Sequence, residues 1–555
     1  MTYQKFEVDN MINIMQLKTL NRENTTMDTP LSAMRSQPCL LTKPSSSYKS
    51  SKVQLSRAVF WCSLGLVLAA SQARAEEEPP LGQITPNLRV TGELRARYEG
   101  FDFFQPQLNP KAGVVADHND YSFGALRARL GVNFTSDYVD ALVQGQYTGL
   151  YALPEQAFAG APVGPLGLGA AYYRDSGNSV NPNEVFLKQG YLNFKLQKLV
   201  GLPNMFLKAG RFEINDGLEY KTGDAKFDML KTTRVSQRLI GAFDFTHVTR
   251  SFDGFSLAYD NPAYNASLYA THPTQGGFNI NAQDEISKID LAYAAFTAKK
   301  GTLIPDTEAR LFYIYYGDNR NSVQVVDNRA AAARPLLSNS NLSIHTIGTH
   351  LLGVQKLGPG AVDYMVWGAY QFGDWTNLSQ SAYAFATEAG YQWTEAFLKP
   401  WVRAGYSIGS GDTNARDGTH GTFFQIMPTV RMYAKFPFYN MMNTQDAFAQ
   451  FSVAPTQTTK VGVDFHYLVL AETSDLFYGG SGATSRSGSL GYYGRASGGN
   501  STVGQMVDIS FTHNFNKHFS WGAYYAHAFG DDVTGNVYQS KNSADYGYVE
   551  LTASF

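Results

Sequence analysis

The sequence predicts an all-β fold, a transmembrane antiparallel β-barrel of about 18 strands with short periplasmic turns and long extracellular loops. Three observations predict it. Segments along most of the chain alternate apolar and polar residues, which is the side-chain period of a β-strand. The 555-residue chain has no run of about 18 apolar residues, so a spanning helix is excluded. The connections between the segments are alternately short and long.

The stretch from Tyr546 to Phe555 shows the strand pattern most clearly. Val549, Leu551, Ala553 and Phe555 share one face, and polar residues or tyrosine occupy the other. A half-buried strand of a soluble sandwich has the same pattern. A terminal alternating strand that ends on an aromatic residue resembles the signature read by the outer-membrane assembly machinery. Phe555 is therefore the predicted assembly signal, and that machinery is a predicted partner.

The composition fits a barrel better than a helical membrane protein. Mean hydropathy is −0.25, which is too low for a helical membrane protein, and 17% of the residues are charged. Tyrosine, phenylalanine and glycine are abundant, at 34, 36 and 51 residues. Outward apolar residues alternate with inward polar ones in such barrels, so no single segment of a barrel sequence is strongly hydrophobic.

The N-terminal part has the organisation of an export signal. An apolar core from Ala58 to Ala70 follows basic residues, and Ala73-Arg74-Ala75 offers a small-x-small cleavage site. A buried helix of a soluble domain is the alternative interpretation. We expect residues 1–48 to be an unstructured upstream extension, 49–75 a signal peptide, 76–86 a periplasmic segment and 87–555 the barrel.

Cleavage after Ala75 would change the chemistry available to the mature protein. Cys39 and Cys62 leave with the signal, so disulfides and cysteine-based zinc sites are excluded. Removal of nine basic and four acidic residues takes the formal net charge from −2 to −7. A mildly acidic chain is not a nucleic-acid binder by bulk electrostatics, so no nucleic-acid partner is expected.

The predicted strands follow one another as hairpins rather than βαβ units. In the first, Arg89, Glu93, Arg95 and Arg97 alternate with apolar residues. The expected strands are 87–99, 121–135, 138–149, 184–196, one ending near 213, 252–259, 264–271, 286–298, 307–316, 342–354, 362–372, 381–393, 400–408, 446–454, 460–471, 503–513, 519–529 and 546–555.

Loop length distinguishes a barrel from an open soluble sheet. Nine mostly long connections, such as 150–183, alternate with eight short turns, such as 201–204. An even strand number with both termini on the short-turn side is the plan of bacterial outer-membrane barrels. An open sheet of this size would be unusual, and closure also removes the unpaired edges that lipid does not tolerate.

The segment from Gly210 to Gly254 carries a family resemblance. It contains Gly-Arg, then Arg-Leu-Ile-Gly, then Phe-Thr-x-x-x-Arg-Ser-Phe-Asp-Gly. This pattern resembles the alginate-export family of outer-membrane porins, and shorter similarities extend over most of 87–555. The resemblance implies an eighteen-stranded barrel in the bacterial outer membrane, surrounded by lipid and lipopolysaccharide. In the best-understood members, an arginine-rich constriction passes a polyanionic polysaccharide.

Strand parity predicts which arginines face the lumen, where guanidinium groups suit carboxylates. Arg211 occupies the family's Gly-Arg position and is the leading candidate for substrate binding. Acidic residues fall on the same faces, so pairing among lumen charges explains any single arginine equally well. The predicted lumen arginines are Arg89, Arg95, Arg97, Arg127, Arg129, Arg211, Arg310 and Arg403.

Four charged residues of the family motif lie in the long segment before the sixth strand: Arg238, Asp244, Arg250 and Asp253. A connection this long is usually functional or disordered, and here it is expected to fold inward and narrow the pore. The alternation of basic and acidic residues favours a structural ion-pair network over a binding site.

Other motifs support no assignment. Asp412, Asn414 and Asp417 offer oxygens to calcium, but the bidentate glutamate of an EF-hand loop is missing. His466 shares a strand face with Asp464, yet no serine on a sharp turn completes a catalytic triad. We therefore predict no catalytic residue, no metal site and no cofactor.

Three function classes follow from these features. The leading prediction is an outer-membrane channel for passive passage of an anionic carbohydrate, an alginate-like polyuronate, or another small anionic solute. The alternative is a general or cation-preferring diffusion porin, favoured by the acidic net charge and by the acids of the late strands. A membrane-embedded hydrolase would need a nucleophile beside His466, and the sequence shows none.

Overall fold

The computed structural model describes residues 82–107, 118–159, 163–321, 323, 325–334, 341–427, 432–437, 440–480, 482–487 and 494–555. The expected upstream extension, the signal peptide and its cleavage site lie outside the described residues. Within the expected periplasmic segment, Gln83–Thr85 forms a short strand that pairs with the start of the barrel.

In the described part of the chain, eighteen antiparallel strands form one closed barrel, which confirms the predicted fold class. Each strand pairs with the next one in sequence. The first and last strands pair from Glu93–Ser554 to Asp102–Asp545, so the sheet has no open edge at this seam. The strands are β1 Leu88–Asp102, β2 Asp120–Thr135, β3 Val139–Tyr151, β4 Asn183–Lys195, β5 Met205–Phe212, β6 Phe252–Asp260, β7 Tyr264–Pro273, β8 Ile289–Ala298, β9 Thr307–Asp318, β10 Leu342–Leu357, β11 Gly360–Trp375, β12 Leu378–Gln392, β13 Trp401–Gly409, β14 Thr444–Val453, β15 Thr459–Leu470, β16 Thr502–Asn514, β17 Phe519–Gly530 and β18 Ser543–Ser554.

Side chains alternate between a lipid-facing outer surface and a polar lumen. Leu268 and Leu311 are 53% and 63% exposed on the outside, whereas Gln146 and Glu308 are buried towards the lumen. This sorting follows from the period of two along each strand. None of the helices in the described part of the chain has the length and apolar character needed to cross a membrane.

The connections alternate in length, with one departure from expectation. The start of β1 and the end of β18 lie on the side of the short turns, such as 358–359 between β10 and β11. On the other side, β11 and β12 are joined only by Thr376 and Asn377, with Thr376 at φ 57°. The sequence predicts a longer loop there, because the polar residues at the two strand ends resemble loop residues although they continue the strand pairing.

The longest connection, residues 213–251, folds into the barrel and is called the constriction segment below. Its helix begins after Asp224, whose side chain accepts hydrogen bonds from the backbone of Lys226 and Phe227. Phe227 and Leu230 are fully buried against lumen-facing strand residues. Other small elements are α1 Leu168–Asp175, α2 Leu196–Val200, α3 Ala225–Leu230, the π-helical turn Lys231–Val235, the 3-10 turn Ala331–Ala333, α4 Asp532–Val537 and the short strands Phe158–Ala159, Gly164–Pro165, Thr419–His420, Leu476–Tyr478 and Gly494–Ala496.

Candidate functional site

Two lumen-facing arginines of β1 hold one turn of the constriction segment. Arg95 donates to the backbone carbonyls of Asp244, at 2.9 Å, and Thr246, at 2.7 Å. Arg97 donates to the carbonyl of Phe245 at 3.0 Å. Hydrogen bonds from a charged donor are stronger than neutral ones. Both arginines are buried, so they position the segment rather than offer charge to an open lumen.

The carboxylate of Asp244 strengthens the same contact. Its Oδ1 lies 3.3 Å from Arg129 and 3.8 Å from Arg127, both of β2. Burial acts to raise the pKa of Asp244, but Arg129 and Arg127 outweigh it and lower the pKa to about 2. Arg127 also pairs with Glu93 at 2.6 Å. The arginines of β1 and β2 therefore pair with groups of the constriction segment and of neighbouring strands, rather than with groups in the open lumen.

The other side of the constriction segment contacts the opposite wall. Lys231 lies 2.9 Å from Glu308 of β9. Arg234 and Arg238 approach the two carboxylate oxygens of Glu388, in β12, at 3.7 and 4.0 Å. One segment therefore contacts two opposite parts of the barrel wall and narrows the lumen between them.

The remaining lumen arginines also have partners or lie at the barrel end. Arg310 is 2.7 Å from Glu219 of the constriction segment. Arg403 is 2.5 Å from Glu388. Arg89 is exposed at the start of β1, near the short turns. These contacts place Arg310 and Arg403 in structural ion pairs.

The structure corrects the assignment of Arg211. It pairs in register with Gly190 and Asp253, and cross-strand partners project to the same face of a sheet. Two residues beyond Asp253, Phe255 is 61% exposed, so this face is the outer one. Both oxygens of Asp253 accept from Arg211, at 2.7 and 2.6 Å. Strand β5 carries a basic residue on each face, Lys208 inward and Arg211 outward. The positions of charged residues therefore could not show which face of this strand lines the lumen.

The family motif residues make structural contacts. Gly210 has φ +123°, and a Cβ there would lie 2.3 Å from the carbonyl oxygen of Gly190, so only glycine fits between β4 and β5. Arg250 is buried, donates to the carbonyl of Ala483 at 3.3 Å and stacks on Phe243 at 5.1 Å. The motif therefore fixes the start and end of the constriction segment.

Two adjoining cavities lie beside the constriction segment, along the wall of the late strands. One has a volume of about 620 Å³ and is lined by residues of β13 to β18 together with Arg234, Gln237 and Asp244. The other, of about 740 Å³, reaches the short turns 393–400 and 454–458. Trp401 and Lys460 line both cavities. Volumes of this size are those of small-molecule sites.

Lys460 is the cation that this wall presents to both cavities. Its side chain is exposed, and it forms no ion pair with a carboxylate of the described residues. Its Nζ lies 5.0 Å from the ring of Trp401, which Arg403 and Lys226 approach at 4.9 and 5.2 Å. Lys460 is not among the lumen residues predicted from the sequence, because that prediction rested on guanidinium groups; its inward position at the start of the predicted strand 460–471 is the signal that points to it.

Two acids line the first cavity further along the same wall. Asp464 of β15 and Asp508 of β16 stand directly opposite each other in register. Neither forms an ion pair with a lysine or arginine of the described residues. His466 lies on the same face as Asp464, and its Nδ1 is 2.9 Å from Asp446. The wall of the late strands therefore presents a basic residue, Lys460, where the cavities meet, and two acidic residues, Asp464 and Asp508, further along the first cavity.

A buried carboxylate joins two of the long loops outside the strands. Asp475 accepts from the Thr422 hydroxyl at 2.6 Å, from the backbone N–H of Asp412 at 2.9 Å and from the Tyr478 hydroxyl at 2.8 Å. Burial raises the pKa of Asp475 to about 6, although these hydrogen bonds act to lower it. Asp412 belongs to the loop considered for calcium, and here its backbone serves to pack loops.

A closed barrel with a lumen narrowed by an inward-folded segment defines a channel of the bacterial outer membrane. The family model described as alginate export matches residues 166–550, and the chain belongs to the alginate-export family. The protein is thus a β-barrel of the outer membrane, in contact with its lipid. The comparison with curated proteins found no match.

Solved structures show the same fold at low sequence identity. Acinetobacter baumannii OccAB2 is 10% identical with a TM-score of 0.52, and the alignment covers 84% of this chain and 98% of that one. Pseudomonas aeruginosa OccK9 (OpdG) is 12% identical with a TM-score of 0.51, and the same shares are covered. At these identities the likeness concerns the fold alone.

Proposed function

We propose that the barrel is a passive channel for small anionic solutes, with carboxylate-bearing carbohydrates such as alginate-like uronates as the preferred class. The observation that carries this proposal is Lys460, an exposed cation where the two cavities meet. The early-strand arginines do not carry it, because they hold the constriction segment. The path therefore runs along the late strands.

The charge of Lys460 is large enough to affect permeation. A carboxylate about 4 Å from Nζ gains roughly 1 kcal/mol in water and about 4 kcal/mol at an effective dielectric constant near 20. The cavities are open to solvent, so the lower value applies. Since about 1.4 kcal/mol is a factor of ten, occupancy by an anion rises several-fold. Lys226 and Arg403, on the same tryptophan ring, are paired with Asp363 and Glu388, so the uncompensated charge at this position is that of Lys460.

A second candidate function is a cation-preferring or general porin. The supporting observation is the pair Asp464 and Asp508, which line the first cavity and form no ion pair with a described lysine or arginine. A row of carboxylates in a pore favours cations. The two candidates differ in the sign of the ion selectivity.

The test is the reversal potential of the refolded barrel in a planar bilayer across a KCl gradient. We expect anion selectivity in the native chain and a shift towards cations in Lys460→Gln. Arg211→Gln is the matched control, because that charge lies on the outer face. Cation selectivity of the native barrel, with a shift towards anions in Asp508→Asn, would support the second candidate instead.

Assembly is proposed to depend on the C-terminal strand. Phe555 donates its backbone N–H to the carbonyl of Gly92 at 3.0 Å, and the N–H of Gly92 donates to the carbonyl of Phe555 at 3.1 Å. The last residue thus continues the seam that closes the barrel. We propose that its exposed ring, 44% accessible, is what the assembly machinery reads.

A further inference from the structure

We infer that Asp464, His466 and Asp508 form a binding site for a divalent transition-metal ion of the zinc type on the lumen wall. One ligand atom from each residue lies within 4.8 Å of the other two. His466 is fully buried, whereas Asp464 and Asp508 face the first cavity. The site is distinct from Lys460 and does not depend on which solute the channel passes.

The strand register brings the three side chains together. Asp464 and Asp508 are direct cross-strand partners, and His466 follows Asp464 by two residues on the same face. Nε2 of His466 lies 3.9 Å from Oδ2 of Asp508. Like charges directly opposite each other on a sheet repel. Since no described lysine or arginine pairs with either acid, a divalent cation between them would remove that repulsion.

A fourth residue orients the imidazole. Nδ1 of His466 lies 2.9 Å from Oδ2 of Asp446, and both side chains are buried. When Nδ1 donates its proton to this carboxylate, the lone pair of Nε2 points to the two aspartates. A carboxylate behind a ligating histidine is a common arrangement at metal sites, where it fixes the tautomer and the ring orientation.

The set of donor atoms selects the class of metal. One imidazole nitrogen and two carboxylate oxygens suit zinc and related transition metals, whereas calcium and magnesium prefer oxygen ligands alone. Metal–ligand bonds of about 2.0–2.2 Å place tetrahedral ligands roughly 3.4 Å apart, so the observed spacing requires only a small inward movement. Three protein ligands leave a fourth position that faces the cavity.

Calorimetric titration of the mature barrel in detergent with Zn²⁺ tests this inference. We expect one ion per barrel and a loss of affinity of at least 100-fold in His466→Gln. Asp446→Asn, which removes only the orienting carboxylate, is expected to weaken binding about 10- to 100-fold. His527→Gln is the matched control: His527 lies 2.8 Å from Asp545 but has no third ligand among the described residues, so its removal should leave Zn²⁺ binding unchanged.

A second variant keeps the test decisive if the buried substitutions prevent folding. Asp464 is only half-buried at the cavity, so Asp464→Asn is expected to fold and to show heat-modifiable migration. Loss of Zn²⁺ binding in this folded variant supports the site. Unchanged Zn²⁺ affinity in folded Asp464→Asn or His466→Gln, or equal competition by Ca²⁺, would overturn it.

Discussion

Replacing Arg95 by methionine is expected to loosen the constriction segment. The guanidinium group donates to the carbonyls of Asp244 and Thr246, at 2.9 and 2.7 Å. Methionine fills much of the same volume and donates nothing. Glu550 keeps Arg97 as a partner at 2.7 Å, so the change leaves no unpaired carboxylate on β18.

The magnitude follows from these two bonds. A hydrogen bond to a charged group contributes about 1.5–3 kcal/mol, so two contribute roughly 3–6 kcal/mol. Removing the buried charge also removes its desolvation cost, which favours the lower end, about 3 kcal/mol. Since about 1.4 kcal/mol is a factor of ten, the undocked population of the segment rises roughly 100-fold.

Single-channel recording measures this effect directly. When the segment undocks, the lumen widens, so brief steps to higher conductance are expected about 100-fold more often in Arg95→Met than in the native barrel. Arg89→Gln is the control, because Arg89 is a lumen arginine of the same strand that is exposed near the short turns. Native conductance and noise in a correctly folded Arg95→Met barrel would refute the docking role of Arg95.

Three further predictions test other parts of the molecule. Arg211→Gln should leave the reversal potential unchanged and lower the thermal stability slightly, because its partner Asp253 lies on the outer face; a shift in selectivity would return Arg211 to the lumen. The pKa of Asp475 is raised to about 6, so its contribution to loop stability is complete below the ordinary carboxyl range and is lost as the pH rises through about 6. The protection factors of residues 471–478, in which hydrogen-exchange rates are corrected for the intrinsic base catalysis of amide exchange, should therefore be lower at about pH 8 than at about pH 5, and Asp475→Asn should remove the difference. Deleting Phe555 should reduce the amount of heat-modifiable barrel in outer membranes; native levels would contradict its role in assembly.

The fold was predictable because each strand carries its own signal. The alternation within β1, β2 and β18 and the sorting of loop lengths do not require knowledge of distant partners. The connection Thr376–Asn377 was missed, because hairpin pairing continues through residues whose composition resembles a loop. Polar residues at the rim of a barrel serve strand and loop equally well, so composition cannot set such a boundary.

The site was only partly predictable. Parity correctly placed Arg95, Arg97, Arg127 and Arg129 towards the lumen, but their partners lie far away in sequence, on the constriction segment. Whether a lumen arginine meets solute or protein depends on how that segment folds, which no local pattern reveals.

Lys460 shows the opposite case. It stands at the start of a strand, and the role proposed for it rests on the two cavities that lie beside the constriction segment along the late strands. Arg211 was predicted to bind substrate because it belongs to the Gly-Arg motif. In the structure, the glycine of this motif allows β4 and β5 to approach closely.

Block of the channel current by a uronate reports directly whether the lumen prefers anionic solutes. Galacturonate and the uncharged sugar galactose, added to either side of a single native barrel, differ mainly by one carboxylate. We expect galacturonate to interrupt the current at several-fold lower concentration than galactose. Lys460→Gln should remove this difference, whereas Arg211→Gln should retain it. Equal block by the two sugars in the native barrel, or an unchanged preference in Lys460→Gln, would contradict the anionic-solute path along the late strands.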